Sequence, residues 1–201
     1  MQQKRKSKAL IIFIKNPLSG KVKTRIASQT SDDYALKVYK ALLDHTRSVT
    51  ESLEVTRYLY YSEHIPESDD WDPLRYVKRT QSEGGLGIKM MEALKDALSD
   101  HEQVLIIGSD CIQINAHDIR AAFNKLDDYD TVLGPAIDGG YYLFGTKTCN
   151  PVFLHDIPWS TEVVADKTLE AIISSGYSCH FTRPLSDIDY LEDWEKYGYK
   201  I

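Results

Sequence analysis

Two kinds of hydrophobic pattern alternate along this chain and set the order of its elements. The run Ala9-Leu10-Ile11-Ile12-Phe13-Ile14 is apolar at successive positions. A strand built from it needs cover on both faces, as inside a parallel sheet. Asn16-Pro17-Leu18-Ser19-Gly20 breaks it. From about Asp32, Leu36, Tyr39, Leu42 and Leu43 recur at helical spacing, and Thr46 and Val49 continue the stripe. The β-branched and aromatic stretch over 55–61 predicts a second strand, and 76–79 a short third. Gly84, Gly85 and Gly87 make a turn ahead of a helix over 88–98. Val104-Leu105-Ile106-Ile107 is the second fully apolar run. Asn115 is placed to cap a helix carrying Ile119, Ala122, Phe123 and Leu126. Strands over 130–134 and 141–144 follow. A last long helix capped by Ser160, with Glu162 in its first turn, and a short closing helix over 191–197 complete the pattern.

The early strand–helix–strand alternation predicts an α/β, Rossmann-like fold: a mainly parallel sheet with helices on both faces. The runs over 10–14 and 104–107 are expected as central parallel strands, adjacent or nearly so. Right-handed crossovers then bring the loops that follow the apolar strands to one edge, where open α/β sheets bind ligands. No repeat, low-complexity tract or linker divides the 201 residues, so one domain over 1–201 is expected.

Composition narrows the function. Hydrophobic residues make up 42% and charged residues 27%, ordinary for a globular protein, and no stretch has the apolar length of a membrane span. The basic start with a short apolar run after it does not read as a secretory leader. Cys111, Cys149 and Cys179 are widely spaced and form no CxxC pair, which suits a reducing cytoplasm better than a disulfide framework or zinc site. A net charge of −6 argues against a nucleic-acid face. An acidic protein that binds an anion must concentrate its cations locally or recruit a metal.

Three loops carry residues suited to that task. Lys15, Lys21, Lys23 and Arg25 surround the Gly20 turn, with Thr24 between the last two. Arg offers a bidentate fork and Lys a point charge to phosphate oxygens, although the spacing is not that of a P-loop. The bland alternative is a solvated basic turn. Gly108-Ser109-Asp110 places a carboxylate directly after a buried strand, where a divalent ion could bridge protein and diphosphate; a turn or cap aspartate is the alternative. In Gly134-Pro135-Ala136-Ile137-Asp138-Gly139-Gly140-Tyr141-Tyr142, Asp138 is a metal ligand or a hydroxyl partner, or else part of a tight hairpin. Asp187-Ile188-Asp189 pairs two carboxylates that either approach the metal or end a strand. No Gly-x-Ser-x-Gly elbow is present, which disfavours acyl transfer, and the six histidines are scattered.

Taken together, the segments over 12–17, 20–25, 108–111, 134–143, 159–162 and 187–189 resemble a bacterial family of GT-A-like glycosyltransferases. That family is loosely related to nucleotidyltransferases, and some members are associated with arsenosugar biosynthesis. The resemblance implies a nucleotide-diphospho-sugar transferase fold, a nucleotide-sugar or NTP donor, a small-molecule acceptor, and Mg²⁺ or Mn²⁺. By matching position it implies phosphate binding by Lys23 and Arg25, and Lys15, Gly20 and Thr24 of the same loop are expected to join them. It likewise implies metal binding by Asp110. Asp138 and Asp189 are the further expected ligands. Asp110 and Asp138 are the expected catalytic acids, Asp138 either as a base on the acceptor hydroxyl or as a second metal ligand. Gly139, Gly140, Tyr141 and Trp159 fall on the sugar or acceptor side. The chain departs from the family pattern over 84–90, where an acidic residue and a Glu-Arg pair are replaced, and at Ile112. Glycosyl transfer is the leading expectation. A nucleotidyltransferase acting on a phosphorylated small molecule and a non-catalytic nucleotide-binding protein are the alternatives.

Overall fold

The computed structural model of the chain describes residues 7–201; most of the basic start, 1–6, lies outside them. The elements in order are β1 (Lys8–Ile14), α1 (Thr24–Ala27), α2 (Asp32–Glu51), β2 (Thr56–Tyr61), β3 (Val77–Thr80), α3 (Leu86–Leu98) and β4 (Gln103–Ile107). They continue with α4 (Ala116–Lys125), β5 (Thr131–Pro135), β6 (Tyr141–Thr146), α5 (Val164–Ser174), β7 (Cys179–Phe181) and α6 (Leu191–Tyr197). A short 3₁₀ turn, Pro151–Phe153, precedes α5. The seven strands form one sheet in the order β3-β2-β1-β4-β6-β5-β7.

The two apolar runs are neighbours, as their patterning requires. β1 pairs in parallel with β4, Leu10 opposite Leu105 and Ile12 opposite Ile107. β2 flanks β1 on the other side, also in parallel. Alternate β1 side chains enter two cores. Leu10, Ile12 and Ile14 pack under α2, α4 and α6, whereas Ala9 and Ile11 pack under α3 and α5. The fold is thus the GT-A or Rossmann-like α/β arrangement, helices on both faces of a mostly parallel sheet.

One strand runs against the others. β6 is antiparallel to both β4 and β5, so the segment over 134–142 is a hairpin, as its Asp-Gly signal allows. β7 was not legible: Cys179–Phe181 is three residues long and incompletely buried, leaving no periodicity to read.

The cap expected at Ser160 is not formed. Helix α5 begins at Val164, with Val163 at its N-cap and no side-chain cap, and Ser160 has a left-handed backbone with φ 65. The β5–β6 turn supplies the physical reason. The Ala165 N–H donates to the Gly139 carbonyl at 2.9 Å, so a main-chain acceptor satisfies a first-turn donor that a serine would otherwise serve. Gly139 itself has φ 90, and a Cβ there would overlap the Glu162 carbonyl. Close approach of the two backbones draws 160–163 onto the turn and delays the helix. By contrast Asn115 does cap α4, its side chain accepting from His117 and Asp118 while Asp118 returns a bond to the Asn115 N–H.

Truncation of the central strand tests this arrangement. Leu105 is fully buried in β4. Leu105→Ala is expected to cost about 2–5 kcal/mol, read as a lower urea midpoint at unchanged m-value. A midpoint within error of the parent contradicts its central placement.

Candidate functional site

The order β2-β1-β4 makes the gap between the C-terminal ends of β1 and β4 the point where the chain's direction of winding reverses. Loops part there and leave a crevice. A cleft of about 300 Å³ opens at this edge, lined by Lys15, Lys23, Thr24, Arg25, Tyr39, Asp110 and Asp189.

Local chemistry holds its walls. Leaving β1, the chain is fixed by Asn16, whose side chain is almost wholly buried; its amide donates to the His64 carbonyl at 2.8 Å and accepts from the Glu63 N–H at 3.0 Å. Tyr39, from α2, accepts from the Lys15 N–H at 2.7 Å, donates to the Lys15 carbonyl at 3.1 Å and meets Ser109 Oγ at 3.2 Å. Its buried hydroxyl therefore ties the loop after β1 to the loop after β4. Burial and the nearby Asp110 carboxylate raise its pKa well above the ordinary phenol value, so it bonds as a neutral hydroxyl.

The acids arrive on three segments joined backbone to backbone. The Ile188 N–H donates to the Asp110 carbonyl at 2.9 Å. The Leu185 N–H donates to the Pro135 carbonyl, and the Ile137 N–H to the Leu185 carbonyl. The segment over 185–189 is therefore stitched between the Asp110 loop and the Asp138 turn. Arg183 anchors its start, forking onto Asp118 at 2.9 and 2.8 Å. Asp193 closes its end by accepting from the Asp189 and Tyr190 N–H groups.

Lys23 lies at the centre of this framework. It stands at the N-cap of α1 in the left-handed region, φ 47, and its side chain is only 5% exposed. The ammonium lies 2.8 Å from Asp110 Oδ1 and 3.6 Å from Asp189 Oδ1, and it donates to the Ile188 carbonyl. Arg25 is more open, bonds Asp189 Oδ2 at 2.9 Å and stacks on the Tyr190 ring. Thr24, Arg25 and Lys15 are exposed to the cleft.

Acid remains in excess. Asp187 is pushed up to about 7, first by burial and then by the charges of Asp110, Asp138 and Asp189, with Lys23 pulling the other way. Asp138 is exposed at the turn, where its carboxylate accepts from the Gly140 N–H. Cys111 is pushed up to about 12 by burial and Asp187, so it is an unreactive thiol at neutral pH.

The structure thus brings Lys15, Lys23, Thr24, Arg25, Asp110 and Asp189 to one cleft, with Asp138 electrostatically linked through Asp187. Gly20, Gly139, Gly140, Tyr141 and Trp159 do not line it. Gly139 and Gly140 shape the turn beside it. Tyr141 faces the second core, its hydroxyl toward Met90, and Trp159 packs edge-on to Tyr141 and against Gly87, where a Cβ would overlap the Leu154 carbonyl. Sequence reasoning missed Tyr39, which reads as one more apolar position of an amphipathic helix. It also left Asp187 without a separate role. The one available signal was Ile188, an apolar residue between two acids.

The raised carboxyl at Asp187 predicts a pH effect on the metal-free protein. The native state holds this proton from the ordinary carboxylate value, 3.8, up to about 7, whereas the unfolded chain does not. The resulting stability is complete below the lower value and is lost as pH rises through the upper one. Asp187→Asn should remove that loss, so the variant gains on the parent between pH 4 and 8 in denaturant titrations with EDTA. A stability difference independent of pH would show that the burden does not rest on this carboxyl.

Among the described residues, no three His, Cys, Asp or Glu side chains already surround a common point as metal ligands, and no helix is long and apolar enough to cross a membrane. No curated protein matches the chain in sequence. Its structure is similar to that of a candidate nucleotide-diphospho-sugar transferase from Desulfovibrio desulfuricans G20. The TM-score is 0.84 at 26% identity, covering 92% of this chain and 84% of that one. It shares its fold with the inositol-1-phosphate CTP transferase of T. maritima, at TM-score 0.56 and 13% identity, covering 95% and 92% of the two chains. The same fold occurs in a Mycobacterium tuberculosis H37Rv protein solved with manganese, at TM-score 0.52 and 13% identity, covering 95% and 97%. The architecture is therefore that of nucleotide-diphospho-sugar transferases and nucleotidyltransferases. Residues 45–161, a span that includes Asp110 and Asp138, match a protein-family model. The chain belongs to the family described as "Uncharacterized protein conserved in bacteria (DUF2064)".

Proposed function

We propose that this protein is a metal-dependent glycosyltransferase-like enzyme that moves a sugar from a nucleotide-diphosphate donor to the hydroxyl of a small acceptor. The observation that carries the reading is the convergence, at the β1–β4 crevice, of Lys15, Thr24 and Arg25 with the acids Asp110 and Asp189. One side of the cleft offers cations and a hydroxyl to phosphate; the other offers carboxylate oxygens to a hard cation.

The donor set fits Mg²⁺ or Mn²⁺. Asp110 and Asp189 already point oxygens at one cationic centre, and Asp187 beside them has its proton affinity raised first by burial and then by the charges of Asp110, Asp138 and Asp189. Asp110 and Asp189 would hold the ion, with Asp138 across the turn as a further ligand or as the base for the acceptor hydroxyl. When bound, the ion supplies a Lewis acid that neutralises the departing diphosphate. Arg25 and Lys15 fix the phosphate oxygens and stabilise charge that grows on them as the sugar–phosphate bond lengthens. Tyr39 keeps the two walls in register. The protein expected to catalyse this is cytoplasmic.

A nucleotidyltransferase reading is favoured by one observation, the fold shared with the T. maritima CTP transferase. In that case Lys15 and Arg25 would bind a triphosphate, and pyrophosphate would leave.

Incubation with a panel of NDP-sugars and NTPs in Mn²⁺ separates the two. Release of nucleoside diphosphate from an NDP-sugar is expected, and Asp110→Asn should lower it roughly 100-fold or more. Pyrophosphate release from an NTP favours the second reading. Equal turnover by Asp110→Asn contradicts both assignments of this carboxylate. Arg25→Ala should weaken nucleotide binding by about 1.5–3 kcal/mol in calorimetry, because a charge-assisted hydrogen bond is lost. Unchanged affinity would make the basic loop a solvated turn.

A further inference from the structure

The residue that most resembles a phosphate ligand in the sequence is not presented to the cleft as one. Lys23 is the most enclosed of the basic residues in the loop, and its ammonium is directed at the acids rather than outward. Its three oxygen neighbours, Asp110 Oδ1, Asp189 Oδ1 and the Ile188 carbonyl, form the kind of all-oxygen shell that a hard cation takes. Its backbone is left-handed, which is unfavourable for a side chain with a Cβ. That geometry turns the side chain into the acids from the start of α1.

Resting on the metal reading above, we infer that Lys23 is a resident counter-ion which fills the divalent-cation position until a diphosphate arrives. An ammonium and a divalent ion cannot share the Asp110–Asp189 gap, because both need the same oxygens and would repel each other. Metal entry therefore requires the ammonium to leave. Among the described residues, the acids lining the bare cleft are Asp110 and Asp189, and Asp189 already serves Arg25 on its second oxygen. A diphosphate in the cleft does: its oxygens receive the displaced ammonium while adding ligands to the metal. Metal and diphosphate binding consequently become mutually dependent, through a side chain rather than through a change of fold.

This coupling must be reciprocal, because it is a free energy between two sites. Metal without diphosphate should bind weakly, and diphosphate without metal should bind weakly. The device also offsets part of the charge on two carboxylates in the free protein, whose net charge is −6.

The test is Mn²⁺ binding followed by electron paramagnetic resonance, with and without inorganic pyrophosphate, in the parent, Lys23→Met and Asp110→Asn proteins. Met keeps the length of an apolar stem and removes the charge. For the parent, pyrophosphate should tighten Mn²⁺ by about tenfold or more. Lys23→Met should bind Mn²⁺ alone about tenfold more tightly than the parent, and pyrophosphate should then add little. If Lys23→Met binds Mn²⁺ no better than the parent while Asp110→Asn loses it, the metal reading stands and the counter-ion role is overturned. If no protein binds Mn²⁺ in either condition, the metal reading itself fails and takes the inference with it. Should Lys23→Met not fold, the parent still decides: Mn²⁺ affinity indifferent to pyrophosphate overturns the inference.

Discussion

Strands β1 and β4 pair in parallel, with Leu10, Ile12, Leu105 and Ile107 entirely or almost entirely removed from water. Neither strand carries a polar side chain within its apolar run, so the chain can change character only where each strand stops. Lys15 and Asn16 follow one strand; Ser109 and Asp110 follow the other. Parallel pairing puts those two ends side by side, and Tyr39 bonds them across the gap. Opposite charges thus face each other because two hydrophobic strands must both be covered. Shifting β4 by one residue would exchange its two buried faces and carry Asp110 away from Lys23.

The electrostatics of the crevice follow from this placement. Asp110, Asp138, Asp187 and Asp189 come within one another's field on segments bonded through their backbones, so they cannot separate to relieve repulsion. Lys23 offsets part of it from within, and Arg25 offsets more from the rim. Burial, and then the remaining acid charge, raise the proton affinity of Asp187. A carboxyl shifted by burial together with specific charged neighbours beside a cleft is the kind of group found at functional sites. A diphosphate and a divalent ion together bring positive charge to the acids and negative charge to Lys15 and Arg25, which is the distribution the two walls lack.

Much of the fold was legible because its information is local. Unbroken apolar runs gave the central strands, and the Asn115 and Asp118 spacing gave the start of α4. The position of α5 was not, because a carbonyl from a distant turn satisfies its first donor and replaces the expected serine. At the site, Asp110 and the basic loop stood out as charges placed directly after buried strands. Tyr39 did not, since nothing in its helical spacing separates a packing ring from a hydroxyl that bridges two loops. The burial of Lys23 was equally hidden: it depends on Asp189 and Ile188, which lie about 165 positions away in the chain. Tyr141 and Trp159 show the converse, a sequence match toward the sugar side whose rings pack into the core beneath α3 and α5.

The central claim is that the Asp110–Asp189 gap is a cation position next to a diphosphate site. Crystals soaked in Mn²⁺ and pyrophosphate test it most directly, through anomalous scattering from the manganese. One strong peak is expected within ligand distance of Asp110 and Asp189, with the Lys23 ammonium moved onto a pyrophosphate oxygen. A manganese peak elsewhere, or pyrophosphate bound with Lys23 still seated between the two carboxylates, would contradict it.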